Sequence, residues 1–249
     1  CANLKPDMHE YMGLLRQVAA LPGVKKVFIR SGIRYDYLLL DRSEAFLRQL
    51  TANHVSGHLK VAPEHSQPAV LAAMGKPGWA VYRRFAAKFA KQNELLDKKQ
   101  YLLPYFIAAH PGCTLQEAVQ LAVQMKQGGW QPEQVQLFLP SPGSKSTCMY
   151  YTGLNPDDMQ PVYVPKSREE REMQLALLLY AQPQKQALVR KALQKAGRED
   201  LIGWGRQYLV PPEGTPPWRQ NKAKIKQKNI NSQEKNNKPN KPKGYNKTQ

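Results

Sequence analysis

The sequence predicts an α/β protein built on a parallel sheet, with a helical carboxyl-terminal extension and a disordered basic tail. Three observations carry that reading. Short β-type runs alternate with amphipathic helices over residues 1–154, helices alone follow over 155–217, and residues 218–249 are almost wholly polar and basic. The β-type runs begin at residues 24, 57, 101 and 134. That spacing leaves room for a crossover helix between each pair, which makes neighbouring strands parallel. Four such units are too few to close an eight-stranded barrel. The residues by themselves leave two architectures open: an open sheet, or part of a barrel whose first strands lie elsewhere.

The first helix is read from Tyr11, Leu14, Leu15 and Val18, which share one face at 3.6-residue spacing. Val24 to Ser31 follows Pro22-Gly23, is rich in β-branched and aromatic residues, and ends at Gly32, so it reads as the first strand. Asp41 then offers an N-cap, with Glu44 three residues on, to a helix carrying Phe46, Leu47 and Leu50. Gly57 to Ala62 alternates, Leu59 and Val61 on one side against His58 and Lys60 on the other, and is the second strand. Trp79, Tyr82, Phe85 and Phe89 stripe the next helix. Tyr101 to Ala109 is a longer apolar strand, and Thr114-x-x-Glu117 is a capping box opening the helix of Leu115, Ala118, Val119, Ala122 and Met125. Gln134 to Leu139 alternates again and ends at Pro140.

After Leu154, Ser167-x-x-Glu170 is a second capping box, opening a helix with Met173, Ala176, Leu177 and Tyr180 on one face. Another helix, with Leu188, Val189, Ala192 and Leu193, follows Pro183 and ends near Gly197. A Pro-rich stretch leads to Trp218. Residues 219–249 hold ten Lys or Arg and one Glu, a charge of +9 that is half of the chain's +18. That segment cannot bury enough apolar surface to offset its ordering entropy, which is the composition of a disordered tail.

Composition excludes some classes. The 249 residues hold 41% hydrophobic side chains, but no run approaches the roughly 20 apolar residues of a membrane span. No basic start precedes an apolar stretch, so no signal peptide is expected. Cys1, Cys113 and Cys148 are widely spaced and odd in number. They point to a reducing, cytoplasmic setting, and they form no clustered metal site. The start at Cys1 rather than Met is read as a fragment or a processed product.

In parallel sheets, ligands bind beyond the carboxyl ends of the strands, and the polar residues here gather there. Ser31, Arg34, Tyr35 and Asp36 follow the first strand, and Glu64 and His65 the second. His110 follows the third, in His110-Pro111-Gly112-Cys113-Thr114, and Ser141 and Ser144 follow the fourth. Each also has a structural explanation, since Pro-Gly pairs make turns, Ser caps them and a carboxylate pairs with a nearby cation. Four clusters on one face mark a candidate pocket without naming its reaction.

At these same positions the sequence resembles the YgiQ family of radical-SAM proteins. The resemblance runs through Leu21-Pro-Gly-Val-Lys-Lys-Val-Phe-Ile, Ser31-Gly-Ile-Arg-Tyr-Asp, His54-Val-Ser-Gly-His-Leu-Lys-Val-Ala-Pro-Glu-His and Met74-Gly-Lys-Pro-Gly. It continues through Gln100-Tyr-Leu-Leu-Pro-Tyr-Phe-Ile-Ala-Ala-His-Pro-Gly, Gln136-Leu-Phe-Leu-Pro-Ser-Pro and Met149-Tyr-Tyr-Thr-Gly-Leu-Asn-Pro to Leu201-Ile-Gly. It covers most of residues 1–210.

The resemblance implies a (β/α)6 partial barrel in which a [4Fe–4S] cluster, held by a C-x3-C-x2-C loop, binds S-adenosylmethionine and generates a 5′-deoxyadenosyl radical. It implies that Ser31, Arg34, Glu64 and His110 line the cofactor or substrate pocket. The chain departs from the family at the cluster loop, which this sequence lacks, so it is expected to be inactive alone and to need the upstream half of the barrel as its partner. Cys113 and Cys148 are not expected to be cluster ligands, and Cys1 matches a cysteine of a family insert. Two other readings compete with this one: an RNA-associated protein using the basic tail, and an aldolase-type barrel holding a phosphate through Arg34 and the His110 turn.

Overall fold

A computed structural model describes residues 7–41, 43–133 and 135–214. Cys1, Gln134 and the basic tail lie outside the described residues. The elements run in the order α1 (His9–Ala19), α2 (Tyr35–Leu38), α3 (Ala45–Gln49), a π-helical turn (Leu50–His54), β1 (His58–Glu64), α4 (Pro68–Ala73), α5 (Trp79–Leu95) and β2 (Tyr101–Ala108). After them come α6 (Leu115–Gln127), β3 (Gln136–Leu137), α7 (Lys145–Thr152), α8 (Arg168–Leu178) and α9 (Gln186–Lys195). The fold is mixed α/β, with a three-stranded sheet in the order β1-β2-β3. Both pairings are parallel, as crossover helices require.

The strands obey their sequence pattern. In β1 Leu59 and Val61 are buried and His58 and Lys60 exposed. In β2 Phe106 and Ala108 face the core, whereas Tyr101, Leu103 and Tyr105 stand 46–61% exposed on the other face. Two apolar clusters form the core. One gathers Leu15, Phe46, Leu50, Leu59, Val61 and Phe85; the other gathers Phe106, Val119, Met125, Met173, Leu177 and Leu193. Trp79 and Trp130 pack against both and meet edge to face at 5.8 Å, within the range that favours such pairs. α8 and α9 therefore bury their apolar faces in the same cluster as β2 and α6.

The Thr114 cap forms as expected. The Gln116 amide donates to Thr114 Oγ1 at 3.2 Å, and the Thr114 amide donates to Glu117 Oε2 at 3.0 Å. Only half of the second box forms. The Glu170 amide donates to Ser167 Oγ at 3.2 Å, but the Glu170 carboxylate accepts from the Tyr163 hydroxyl at 2.5 and 2.6 Å instead of reaching back.

Two expectations are corrected. Val24–Ser31 is not a strand. Among the described residues it makes one backbone–backbone bond to the segment before β1, from the Ile29 amide to the His54 carbonyl at 2.9 Å, and pairing resumes only at an isolated Ile33–Val61 bridge. The physical reason is that the Val27 carbonyl is taken by the His54 ring, 2.8 Å from Nδ1, rather than by the amide of a neighbouring strand, and a cleft of about 920 Å3 adjoins residues 25–28 and 52–56. The cap of α3 is also shifted. Glu44 occupies the N-cap position with a left-handed backbone, φ 53°. Asp41 acts from further upstream, accepting from the Ser43 amide at 2.9 Å and the Phe46 amide at 3.4 Å. The Glu44 carboxylate instead pairs with Lys88.

Candidate functional site

The carboxyl ends of β1 and β2 carry an unusual backbone. Glu64 (φ 64°) and Ala109 (φ 59°) both occupy the left-handed region, which costs a non-glycine residue about 1–2 kcal/mol. At β1 the pairing register slips between Val61 and Glu64, because Pro63 has no amide to give the ladder. A tight turn follows, the His65 amide donating to the Pro63 carbonyl at 2.8 Å. At β2 the strand ends into His110-Pro111, and Gly112 (φ 87°) lies where an added Cβ would come within 3.1 Å of Ala73 Cβ.

Glu64 forms an ion pair with Lys76 Nζ at 2.9 Å, both side chains part-buried. Lys76 stands just past α4, where its amide donates to the Leu71 carbonyl. Arg34 does not reach Glu64. Its guanidinium grips Asp36 through two bonds, at 2.9 and 2.6 Å, and lies 4.1 Å over the Tyr37 ring. Burial works against the Asp36 carboxylate, but the Arg34 pair outweighs it and holds the group below its usual range. Arg34 and Lys76 share the rim of a crevice of about 30 Å3. Ser31 is exposed.

His110 is buried and its tautomer is dictated by its neighbours. Nδ1 lies 2.7 Å from the Pro111 carbonyl, which can only accept, so Nδ1 carries the proton. Nε2, 2.7 Å from Ser146 Oγ, then accepts from the serine hydroxyl. Burial lowers the His110 pKa, against the opposing Pro111 bond and the Glu64 charge, so the ring is neutral at pH 7. His65 has the opposite tautomer. Its Nδ1 accepts from the Gln67 amide at 3.0 Å, which leaves Nε2–H to point at Cys113 Sγ, 3.5 Å away. Burial, then the proximity of His110, lowers the His65 pKa to about 3. Burial, reinforced by Glu117 and Glu170, raises that of the Cys113 thiol. A neutral imidazole beside a protonated thiol is a packing pair rather than an activated nucleophile.

Of the four residues singled out in the sequence, the structure brings Glu64 and His110 to one end of the sheet and leaves Ser31 and Arg34 at its margin. Ser144 proves to be the N-cap of α7, its Oγ accepting from the Thr147 amide at 3.2 Å. Lys76 and Ser146 were not legible as site residues. Lys76 sits in a Gly-Lys-Pro turn, and Ser146 lies on α7, a helix whose sequence carries no clear apolar stripe. Among the described residues no group of three or more His, Cys, Asp or Glu is placed to hold a metal, and no helix is long and apolar enough to cross a membrane.

Fold and strand-end chemistry define a mixed α/β protein that presents a carboxylate–ammonium pair and a neutral histidine beyond the ends of parallel strands. Comparison with known proteins narrows this. Residues 133–249 match a family described as a domain of unknown function, DUF3362. The chain is 52% identical over 210 residues to a UPF0313 protein of Clostridium perfringens (strain 13 / Type A), covering 84% of this chain and 32% of that one. It is 50% identical over 211 residues to a UPF0313 protein of Clostridium botulinum (strain 657 / Type Ba4), covering 85% and 33%. The chain therefore spans about a third of the length of the curated relatives it matches.

Proposed function

We propose that this chain is the substrate-side part of a radical-SAM enzyme of the YgiQ type, with its strands forming part of a (β/α)6 partial barrel. The observation that carries the reading is the pair of left-handed, non-glycine residues, Glu64 and Ala109, at adjacent strand ends. Strain of that kind persists where surrounding structure over-determines it, and it gathers at ligand sites. It falls on the Ala-Pro-Glu-His and Ala-His-Pro-Gly stretches through which the sequence resembles that family.

The cysteines among the described residues do not fit an iron–sulfur cluster. Cys113 is buried with its thiol protonated, and Cys148 is alone and exposed on α7. No step of cluster chemistry is assigned to them, and the chain alone, treated with iron and sulfide, is expected to stay colourless. S-adenosylmethionine fits better, as one wall of a shared site. The Arg34–Lys76 crevice, about 30 Å3, holds about one water, so the remaining walls belong to the upstream segment. Glu64 is suited to accept hydrogen bonds from an amino group or ribose hydroxyls, while the ion pair with Lys76 fixes where the carboxylate points.

The test is Glu64→Gln in the full-length protein, which preserves shape and removes charge. S-adenosylmethionine binding should weaken while the melting temperature stays near that of the parent. Unchanged affinity together with a stability loss of about 1 kcal/mol or more, the size of a lost charge-assisted bond, would make Glu64 a structural partner of Lys76 and overturn the pocket assignment.

A further inference from the structure

We propose that the cleft at the amino-terminal ends of β1 and β2, opposite the strand-end site, binds a phosphorylated ligand of nucleotide size. Its volume, about 920 Å3, is that of a small-molecule site. Four cations line it, Arg16, Lys25, Lys26 and Lys98, and no carboxylate does. Among the described residues none of the four forms an ion pair. Four uncompensated cations around a concave surface concentrate positive potential and draw an anion.

The walls are built rather than incidental. Arg16 Nε donates to Gln49 Oε1 at 3.0 Å, and Lys98 Nζ donates to the Thr51 carbonyl at 3.2 Å and to that of Ala52, so two of the cations are held in place. One wall is the π-helical turn Leu50–His54, a rare geometry that recurs at functional sites. Buried His54 ties it to the facing wall. Its Nδ1 lies 2.8 Å from the Val27 carbonyl, which can only accept, so Nδ1–H is the donor. The backbone amides of Lys25, Lys26, Val27 and Phe28 donate no hydrogen bond to the described residues, so those that face the cleft can take phosphate oxygens. Beside them Phe28, 41% exposed, and Val27 offer an apolar surface for a flat ring, which aromatic side chains stack on at little cost.

The experiment titrates the full chain with ATP, adenosine and pyrophosphate by calorimetry at low salt. ATP should bind once per chain and more tightly than either fragment, because phosphates and ring are both used. Lys25→Glu with Lys26→Glu should weaken ATP binding about tenfold or more, as expected for reversing exposed charges at low ionic strength, and Arg16→Gln should weaken it in the same direction. Phe28→Ala should bring ATP down towards pyrophosphate. The lysines are exposed, so the double variant should melt with the parent. No ATP binding, or binding that the lysine reversals leave unchanged because it belongs to the carboxyl-terminal basic segment, overturns the site. Pyrophosphate binding as tightly as ATP, with no effect of Phe28→Ala, overturns the nucleotide-sized ligand.

Discussion

His65 is the residue whose ionisation bears most on stability. In the fold it is neutral down to about pH 3, but in the unfolded chain it takes up a proton near the ordinary imidazole value of about 6.5. The sign follows from linkage. Between those two values the unfolded state binds more protons, so the free energy of unfolding falls as pH drops below about 6.5 and stops falling, for this group, near 3. One such histidine contributes a slope of up to about 1.4 kcal/mol per pH unit, and His110, shifted in the same direction, adds to it. Urea melts between pH 7.5 and 5 should show this decline, and His65→Gln should flatten it. A slope that His65→Gln leaves untouched would mean that burial beside His110 does not keep the ring neutral.

Among the elements, α6 is the best separated test of local encoding. Its capping box satisfies two amides that would otherwise be orphaned, and the helix buries Ala118, Val119, Leu121, Ala122 and Met125 in the larger core cluster. Thr114→Ala removes the acceptor for the Gln116 amide and should cost about 1 kcal/mol. Thr114→Ser should cost much less, since the hydroxyl remains. Equal losses for both variants, read from thermal melts, would place the effect in packing rather than in the cap. The contrast with α8 is instructive. The same spacing there yields only the Ser167 half of the box, because Tyr163 competes for the Glu170 carboxylate.

For the whole molecule, the uncovered face of the sheet governs behaviour in solution. Tyr101, Leu103 and Tyr105 stand 46–61% exposed along β2, and Leu139 beyond β3 is 65% exposed. A contiguous apolar stripe beside a short sheet invites association. The chain alone should self-associate with rising concentration and bind hydrophobic dyes, and Leu103→Lys should reduce both. Co-expression with the upstream segment of a full-length relative should do the same. A monodisperse monomer that binds no dye would contradict the proposal that a further part of a barrel covers this face.

By itself the sequence determined what depends on neighbours within a few residues. The 3.6 periodicity located α1, α5, α6, α8 and α9, the alternation at Leu59 and Val61 located β1, and the spacing between strands made the sheet parallel. Glu64 and His110 were legible as strand-end residues for the same reason, since chain direction alone carries polar groups to that end. Tertiary structure decided what those groups touch. Glu64 meets Lys76 rather than Arg34 or Lys60, and His110 meets Ser146, 36 residues away, a distance over which no periodicity carries information. It also decided that Val24–Ser31, β-type in every local respect, is not a strand. A strand exists only through its partner's hydrogen bonds, and here the Ile29–His54 backbone bond is not continued into a ladder because the His54 side chain takes the Val27 carbonyl.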